Sequence, residues 1–469
     1  MAQQSSPPPN FHIIGGGPVG FLTALLLAKE GYHSTVYERT THIPDVSEDS
    51  YPIGVNPRGL NALAEADPAL ADRIRNTGRL ISSLQVWGPN RRYATIESGV
   101  VYGTSRFLVN LVLWEAAKHN PKIVIKFAHK LKGIDFASKR LTFDVLGKDG
   151  STTAVNVDAS SDRVVAADGA NSVVRSELQN YDQTFLANTT PWSYTFRVLF
   201  APPNVNPQDL DPSVHYIFRG AYTAVITNKD NQPQWTCVLS ARHNDPPQKR
   251  SLVLSQSPTP SNVTSLHTLA KSLSPNFAAL LTPTELTSFF SRRTFRGSIV
   301  SCNRLNHSEW LVLLGDAAHS IVPPVGEGIN SGLQDCAILV TQCLRSNLST
   351  AFSTYNSIRL KDLNALTEYA LYQNTGPKFR GEVIARRMFM IVESSWKPNI
   401  GEMLFGPKLD VRKGYEEIIG RWRRKKRFIL PICRVLAYPV GAFVEVLVGV
   451  WRVGRWILGR MSGKGEKDL

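Results

Sequence analysis

The stretch Phe11-His-Ile-Ile-Gly-Gly-Gly-Pro-Val-Gly20 decides the fold of this chain. A short apolar run leads into Gly15, Gly17 and Gly20, which have the spacing G-x-G-x-x-G, and an Ala- and Leu-rich helical pattern follows. In a strand–turn–helix unit, the first glycine permits the tight turn and the second lets a pyrophosphate approach the backbone. The third glycine lets the helix pack close to the strand. The pattern therefore predicts that this helix N-terminus binds the phosphates of a dinucleotide.

An acidic residue follows at the distance that a dinucleotide site requires. Ser34-Thr-Val-Tyr-Glu-Arg39 is predicted to be a second strand that ends near Glu38. An acid about 20 residues beyond the glycine motif binds a ribose hydroxyl in such sites. Glu38 is therefore the candidate ribose ligand, and the adjacent Arg39 is a further candidate for cofactor binding.

The length and charge of the chain limit the classes of protein to which it can belong. A chain of 469 residues predicts two or three lobes with a sizeable core. Of the net charge of +15, much lies after Arg412. A basic tail favours an anionic membrane surface over nucleic acid, for which a uniformly basic fold would be expected. The five cysteines are scattered without C-x-x-C spacing, which argues against a disulfide framework or a metal site.

A second motif, Asp168-Gly169, follows a predicted buried strand. The turn leads at once into a helix pattern that carries Ser172 and Arg175. Asp-Gly after an apolar strand is often only a turn, so this motif alone leaves a binding role and a structural role both open.

A third motif begins at Gly315-Asp316, again after a predicted buried strand. A loop rich in proline and glycine follows, and a helix opens at 328–332. Asp316 is placed to accept hydrogen bonds from a sugar hydroxyl, and the helix N-terminus offers N–H groups to a carbonyl or phosphate. His319 is expected to fix the loop, because no carboxylate or nucleophile pairs with it at a recognisable spacing.

The remaining segments complete a predicted α/β fold that is α+β overall. Leu84–Trp87 and Tyr93–Ile96 predict a hairpin around Gly88-Pro-Asn90. Short strands separated by Pro- and Asn-rich loops predict a separate sheet domain between about 185 and 297. The predicted domains are a discontinuous Rossmann-like cofactor domain (10–78, 100–184 and 298–360), a mixed β-sheet substrate domain (79–99 and 185–297), C-terminal helices (361–427) and a membrane-associating tail (428–469).

In order and separation, the three motifs resemble those of the single-component FAD-dependent aromatic hydroxylases. The resemblance covers most of the chain and implies that the first motif binds the ADP half of FAD. It implies that Asp168 helps to hold the flavin and that Asp316 contacts its ribose and ribityl region. It also implies that Arg106 approaches FAD from a helix N-terminus. The loop residues that it implies for the flavin are Pro324, Gly326, Gly328, Ile329 and Asn330.

Three segments, 127–131, 322–330 and 355–360, and the basic, apolar C-terminus carry a narrower resemblance, to kynurenine 3-monooxygenase and its relatives. In those enzymes an arginine and a tyrosine fourteen residues apart bind the substrate carboxylate, and Arg79 and Tyr93 have that separation. Tyr372 and Gln373 are the nearest candidates for the family's further substrate contacts on the C-terminal helices. The loop over the flavin departs from the family, because Glu327 stands where the family has an amide.

The resemblance also implies the reaction. NADPH or NADH, as a transient reductant, would reduce FAD, and O2 would form a flavin C4a-hydroperoxide that hydroxylates a kynurenine-like or secondary-metabolite ring. The flavin carries the chemistry, so no catalytic side chain is assigned. Epoxidation of a lipophilic prenylated or terpenoid alkene is the alternative reaction. A flavin-binding scaffold without coupled activity is the alternative of another class, and the intact glycines argue against it.

The C-terminal tail predicts membrane association. Arg421-Trp-Arg-Arg-Lys-Lys-Arg427 is a dense basic run, and a mostly apolar stretch follows it. Arg434 and Glu445 interrupt that stretch, and Pro431 and Pro439 are expected to break it. We expect an interfacial helix pair on the cytosol-facing surface of the endoplasmic reticulum or the mitochondrial outer membrane. A single span and a helix packed on the enzyme body are the alternatives.

Overall fold

The computed structural model describes residues 8–43, 50–88, 91–207, 209–218, 220–228, 230–376 and 379–461, and for 447–461 it describes only the backbone. The end of the predicted tail and the tip of the predicted hairpin lie outside these residues. The strands are β1 (Phe11–Ile14), β2 (Ser34–Tyr37), β3 (Pro52–Val55), β4 (Arg79–Leu80), β5 (Ser83–Trp87), β6 (Arg92–Glu97), β7 (Tyr102–Ser105), β8 (Ile123–Lys126), β9 (His129–Asp135), β10 (Arg140–Leu146), β11 (Thr152–Asp158), β12 (Arg163–Ala166), β13 (Ala187–Pro203), β14 (Val214–Phe218), β15 (Ala221–Thr227), β16 (Pro233–Arg242), β17 (Phe295–Cys302), β18 (Asn306–His307) and β19 (Leu311–Leu313).

Helices connect these strands and form the C-terminal region. They are α1 (Pro18–Lys29), α2 (Pro57–Ala66), α3 (Pro68–Thr77), α4 (Arg106–Lys118), α5 (Val173–Tyr181), α6 (Pro247–Leu254), α7 (Pro260–Leu273), α8 (Pro275–Ala278), α9 (Pro283–Ser288), α10 (Asp316–His319), α11 (Gly328–Ala337), α12 (Ala351–Asn374), α13 (Arg380–Ser395), α14 (Ile400–Leu404) and α15 (Tyr415–Met461). Short 3₁₀ turns lie at Pro323–Val325 and Leu348–Thr350, and a π-helical segment at Ile338–Leu344. The predicted α/β class is confirmed.

A six-stranded sheet brings the three motifs together. Its order is β18-β19-β12-β1-β2-β8, and β19, β12, β1, β2 and β8 are parallel. The strands β1, β12 and β19 are neighbours, and each leads directly into one of the three motifs. Because carboxyl ends of parallel strands meet at one edge of a sheet, the motifs converge there, where such folds bind their ligands.

A seven-stranded sheet of order β17-β13-β16-β15-β14-β5-β6 forms the second layer. The hairpin strands β5 and β6 belong to it, although about 90 residues of chain separate β6 from β13, the next strand of this sheet. One face packs against α6 to α9 through buried side chains such as Leu199, Trp235 and Phe277. The other face carries a smaller apolar cluster around Phe196, Val198 and Phe200. Two three-stranded sheets, β3-β7-β4 and β9-β10-β11, flank these layers.

The C-terminal helix α15 crosses the boundary that was predicted between residues 427 and 428. Pro431 and Pro439 lie inside it, so the prediction that they break the helix was wrong. Tertiary packing explains this difference: buried side chains such as Trp422 and Leu430 join the core formed with α12, α13 and α14. Packing of this kind outweighs the local cost of a proline.

Candidate active site

The glycine turn has the geometry that its spacing predicts. Gly15 has φ of 108°, a conformation that side chains other than glycine rarely adopt. A Cβ atom on Gly20 would lie 1.9 Å from the carbonyl oxygen of Gly15, so only glycine fits this contact between turn and helix. Gly17 is the N-cap of α1, and no described side chain caps this end. The first amide groups of α1 are therefore available to a phosphate.

Arg106 lies at the same turn. It begins α4, whose N-cap residue Ser105 accepts a hydrogen bond from the Leu108 amide at 3.1 Å. The Nη2 atom of Arg106 lies 3.8 Å from the position of a Cβ atom on Gly17. The guanidinium group and the free amides of α1 thus face one space, which suits a pyrophosphate.

Glu38 lies on the other side of the turn. Its Oε2 atom accepts a hydrogen bond from the Gly16 amide at 2.8 Å, and Oε1 accepts one from the Thr40 amide at 2.9 Å. These bonds hold the carboxylate beside the glycine motif, where a ribose hydroxyl would reach it. Arg39 is exposed next to it.

Asp168 caps a helix and keeps one oxygen free. Its Oδ2 atom accepts hydrogen bonds from the amides of Val173 (2.7 Å) and Val174 (3.2 Å), at the start of α5. Its Oδ1 atom is buried and has no partner among the described residues. Desolvation raises the pKa of this carboxyl group. A buried acceptor without a partner is costly, which suits a site that a ligand completes.

Arg175 joins the second motif to the third. It donates from Nη1 to the Ala317 carbonyl at 2.8 Å and from Nη2 to the Ala170 carbonyl at 2.7 Å. The two loops at the edge of the sheet therefore hold each other in place.

Asp316 is exposed in the cleft between these loops. Surrounding protein atoms desolvate its carboxyl group and raise its pKa, and attraction from His319 and Arg106 opposes that rise. The preceding residue, Gly315, has φ of 54°, and its amide donates to Asp335 at 3.0 Å. His319 also bonds to Asp335, and both side chains are buried, so His319 helps to fix the loop.

The loop that follows leaves an open cradle. Pro324 and Gly326 are exposed, and Gly326 has φ of 74°. Apart from its chain neighbours, no atom of the described residues lies within 4 Å of a Cβ built on Gly326. The loop ends at α11, whose first residues Gly328 and Ile329 are partly exposed and whose N-terminus has no side-chain cap among the described residues. Backbone amides there can bind a cofactor carbonyl.

Asn330 is buried, and its side chain fastens α11 to the strand β3. Its Oδ1 atom accepts from the Asn56 amide at 2.9 Å, and its Nδ2 atom donates to the Gly54 carbonyl at 3.0 Å. Because its side chain is already hydrogen-bonded, Asn330 would contact a cofactor through its backbone.

Glu327 points away from the open cradle and is fully buried. Its Oε1 atom accepts from Asn56 Nδ2 at 2.8 Å, and its Oε2 atom accepts from the hydroxyl of Tyr415 at 2.7 Å. Burial raises the pKa of Glu327 to about 7. The carboxyl group thus links the loop to the first turn of α15.

Tyr51 is a site residue that the sequence analysis missed. Its ring makes edge contacts with Phe196 (5.6 Å between centroids) and Phe295 (5.2 Å), which stack on each other. Burial raises the pKa of Tyr51, and Arg106, Asp316 and Arg293 also act on it electrostatically. Tyr51 therefore connects the cofactor cleft to the aromatic face of the seven-stranded sheet. No sequence pattern singles it out.

Arg293 is a second missed residue, and it lies beside this aromatic cluster. Its Cζ atom is 5.3 Å from the centroid of the Phe295 ring. The side chain is exposed, and so it is a cation at the edge of an apolar surface.

The structure does not bring Arg79 and Tyr93 together. Arg79 pairs with Gly103, whereas Tyr93 lies next to the turn of the same long hairpin, beside the pair Val86–Ala94. β4 belongs to a three-stranded sheet and β6 to the seven-stranded sheet, so the two residues lie in different sheets. Their joint contact with one substrate carboxylate stays a prediction.

Tyr372 and Gln373 lie on the C-terminal part of α12. Tyr372 packs against the Trp422 ring of α15, with Lys426 over its face at 4.2 Å. Gln373 is exposed and donates to the Tyr369 hydroxyl at 2.9 Å. Their predicted contacts with a substrate stay a prediction.

Comparison with known proteins identifies relatives along most of the chain. The model of a family described as "FAD binding domain" matches residues 10–368. Kynurenine 3-monooxygenase of Candida albicans is 30% identical over 394 residues, which cover 76% of this chain and 78% of the relative. Kynurenine 3-monooxygenase of Neurospora crassa is 25% identical over 507 residues, which cover 96% and 94%.

Solved structures share the fold. The tetrameric form of 2-methyl-3-hydroxypyridine-5-carboxylic acid oxygenase superposes with a TM-score of 0.60 at 16% identity and covers 78% of this chain and 92% of its own. The p-nitrophenol 4-monooxygenase PnpA of Pseudomonas putida superposes with a TM-score of 0.59 at 18% identity, covering 89% and 99%.

Proposed function

Because the chain belongs to the single-component FAD-dependent aromatic hydroxylases, an enzyme family of monooxygenases, we propose that it hydroxylates a small aromatic molecule with O2 and NADPH or NADH. The observation that carries this proposal is the convergence of the three motifs on neighbouring strands around one cleft. The kynurenine 3-monooxygenases among its relatives suggest a kynurenine-like ring as the substrate class.

The residues of the cleft fit FAD. The amides of α1 and Arg106 would bind the pyrophosphate, Glu38 the adenosine ribose, and Asp316 a hydroxyl of the ribityl region. The unpartnered Oδ1 atom of Asp168 is a further acceptor for the cofactor. When bound, FAD supplies the redox chemistry, since it accepts a hydride from a nicotinamide and activates O2 for transfer to the ring.

The nicotinamide would bind only transiently. The sequence has one G-x-G-x-x-G motif followed by an acid at ribose distance, and the resident cofactor uses it. A visiting NADPH or NADH therefore has no dedicated nucleotide fold in this chain, as in the family that it resembles.

The protein would hold the ring between the cofactor and the aromatic face of the large sheet. Tyr51, Phe196 and Phe295 provide an apolar wall beside the cleft, which excludes water and orients an aromatic ring. For a substrate with a carboxylate, Arg293 is a cation beside this wall, and Arg79 is the alternative anchor from the sequence.

We further propose that the enzyme works at the cytosol-facing surface of an endoplasmic reticulum or mitochondrial outer membrane. Among the described residues, Tyr415–Val446 of α15 is long and apolar enough to cross a membrane by length and composition. Its packing against α12 and α13 on one side, with apolar side chains exposed on the other, favours a helix that lies in the interface.

A substrate panel tests the proposed reaction. The purified protein is mixed with NADPH, or with NADH, and with single compounds: kynurenine, anthranilate-like carboxylates, neutral phenols and prenylated alkenes. We expect an aromatic compound to accelerate NAD(P)H oxidation and to yield a hydroxylated product in matching amount. If only the alkenes accelerate NAD(P)H oxidation and the product is an epoxide, the reaction is epoxidation and not hydroxylation.

A further inference from the structure

The helices α13 and α15 expose a shared apolar surface. They run antiparallel, and the ion pairs Glu382–Arg434 (2.9 Å) and Glu393–Lys425 (3.6 Å) join the two ends of α13 to α15. The larger exposed apolar side chains of this surface are Met390, Ile391, Trp396, Phe428, Ile432, Val435, Leu436, Val440 and Phe443. Because Arg434 is paired with Glu382, the charge inside the apolar stretch does not interrupt this surface.

A pocket of about 340 Å³ lies at one end of this surface, between the end of α13 and the basic run of α15. Trp396 and Phe428 line it, and they are 58% and 70% exposed. Four cations also line it, namely Lys397, Arg421, Arg424 and Lys425, and no carboxylate among the described residues does. Apolar rings and cations thus meet at one place.

Three of the four cations have acidic partners outside the pocket. Lys425 is held by Glu393 and donates to the Trp396 carbonyl at 2.6 Å, so it fixes the pocket wall. Arg421 bonds to Glu417 at 2.8 Å, and Lys397 pairs with Glu402.

Arg424 differs from its neighbours. It is exposed, and in the described part of the chain it makes no ion pair or hydrogen bond. Its guanidinium group keeps all its donors for a ligand, and a guanidinium binds a phosphate in a bidentate manner.

We propose that this pocket binds the phosphate group of an anionic phospholipid, with Arg424 as the main ligand. The proposal rests on the membrane attachment proposed above, and it adds a specific lipid site to it. The occupant is a lipid and not free phosphate, because Trp396 and Phe428 would stay exposed to water around an inorganic ion. In a bilayer the same rings lie at the level of the headgroups, where aromatic side chains are favoured.

Vesicle binding by the full-length, FAD-loaded protein tests this site. The vesicles contain phosphatidylcholine alone or phosphatidylcholine with phosphatidic acid, and inorganic phosphate is added as a competitor in a separate arm. The variants are Arg424→Gln and Arg427→Gln. Arg427 is the matched control, since it is exposed one turn further and unpaired in the described part of the chain, but does not line the pocket.

The wild type should bind the vesicles with phosphatidic acid more tightly, and Arg424→Gln should weaken that binding about fivefold. Arg427→Gln should have a smaller effect, and neither variant should alter binding to phosphatidylcholine alone. Free phosphate should compete weakly.

Four outcomes would overturn the lipid site. Equal losses for the two variants would mean a diffuse attraction of the basic run, and strong competition by inorganic phosphate would mean an anion site without lipid. Binding that ignores phosphatidic acid would also refute the site, while the membrane attachment stands. If active protein binds no vesicle of either kind, the membrane attachment fails and the site fails with it.

Discussion

At the scale of single residues, the proposed cofactor cleft depends on a glycine that has no side chain and on a buried carboxyl group, and not on a reactive side chain. Gly17 leaves room for a phosphate beside the amides of α1, and Arg106 faces the same space. Glu327 is buried in a different role, as a link between the cofactor loop and α15. Gly17 and Glu327 each allow a separate test.

Gly17→Ala should fold but lose affinity for FAD. The new methyl group would meet only Arg106 Nη2 at 3.8 Å, and the backbone is extended there, so the chain without cofactor is not strained. The methyl group would occupy the approach of the pyrophosphate, which should weaken FAD binding about tenfold or more. Fluorescence titration with FAD measures this. Gly420→Ala, on α15, is the control that should bind FAD normally, and normal binding by Gly17→Ala would refute the assignment of the turn.

Arg293→Ala should raise the KM for a carboxylated aromatic substrate about tenfold or more, because it removes a charge-assisted hydrogen bond. Its kcat should change less, since the residue lies beside the aromatic wall and not among the proposed FAD ligands. Arg79→Ala is the paired variant. Steady-state kinetics that change only for Arg79→Ala would assign the anchor to β4, and unchanged kinetics in both would exclude both arginines.

Glu327→Gln should flatten the dependence of stability on pH. The pKa of Glu327 in the folded chain is about 7, above the ordinary value of 4.5, so the folded state holds the proton longer than the unfolded state. The wild type should therefore lose stability as pH rises from about 4.5 to about 7, by up to about 3 kcal/mol.

Thermal unfolding across this pH range measures the difference between wild type and variant. Glu97→Gln, at an exposed position on β6, should follow the wild-type curve. Parallel curves for wild type and Glu327→Gln would contradict a raised pKa at this position.

At the scale of elements, the sequence predicts those whose local pattern agrees with their packing. The buried strands before Gly15, Asp168 and Gly315 are visible as apolar runs, and their motifs follow them directly. The continuity of α15 was not predictable, because its prolines argue locally for a break and only its packing on α12 and α13 outweighs them. The separation of Arg79 and Tyr93 cannot be predicted from the sequence either, because it depends on how the strands pair.

The exposed face of α15 should carry membrane binding. Replacing Ile432 and Val435, which are 62% and 74% exposed, by serine removes apolar area without touching the core. Binding to phosphatidylcholine vesicles should fall about tenfold or more. The matched control replaces Val124 and Leu146, which are exposed on the strands β8 and β10, by serine. This control should bind the vesicles normally. Unchanged flotation of the α15 variant with vesicles would refute this role.

At the scale of the whole molecule, two layers and a helical region meet around one cleft. The six-stranded sheet supplies the three motifs, the seven-stranded sheet supplies the aromatic wall, and Tyr51 lies between them. The strands and turns of the cofactor half can be predicted from the sequence, since they belong to local motifs. The aromatic wall and Arg293 come together only through the pairing of distant strands, which no local pattern reveals.

The most direct measurement of the central claim is the fate of labelled oxygen. The FAD-loaded protein would turn over under isotopically labelled O2, with NADPH and the aromatic compound that best accelerates its oxidation, and mass spectrometry would follow the label. The account predicts one labelled oxygen atom on the aromatic ring for each NADPH consumed. Label found only in hydrogen peroxide or water, for every aromatic compound and with the flavin bound, would contradict it.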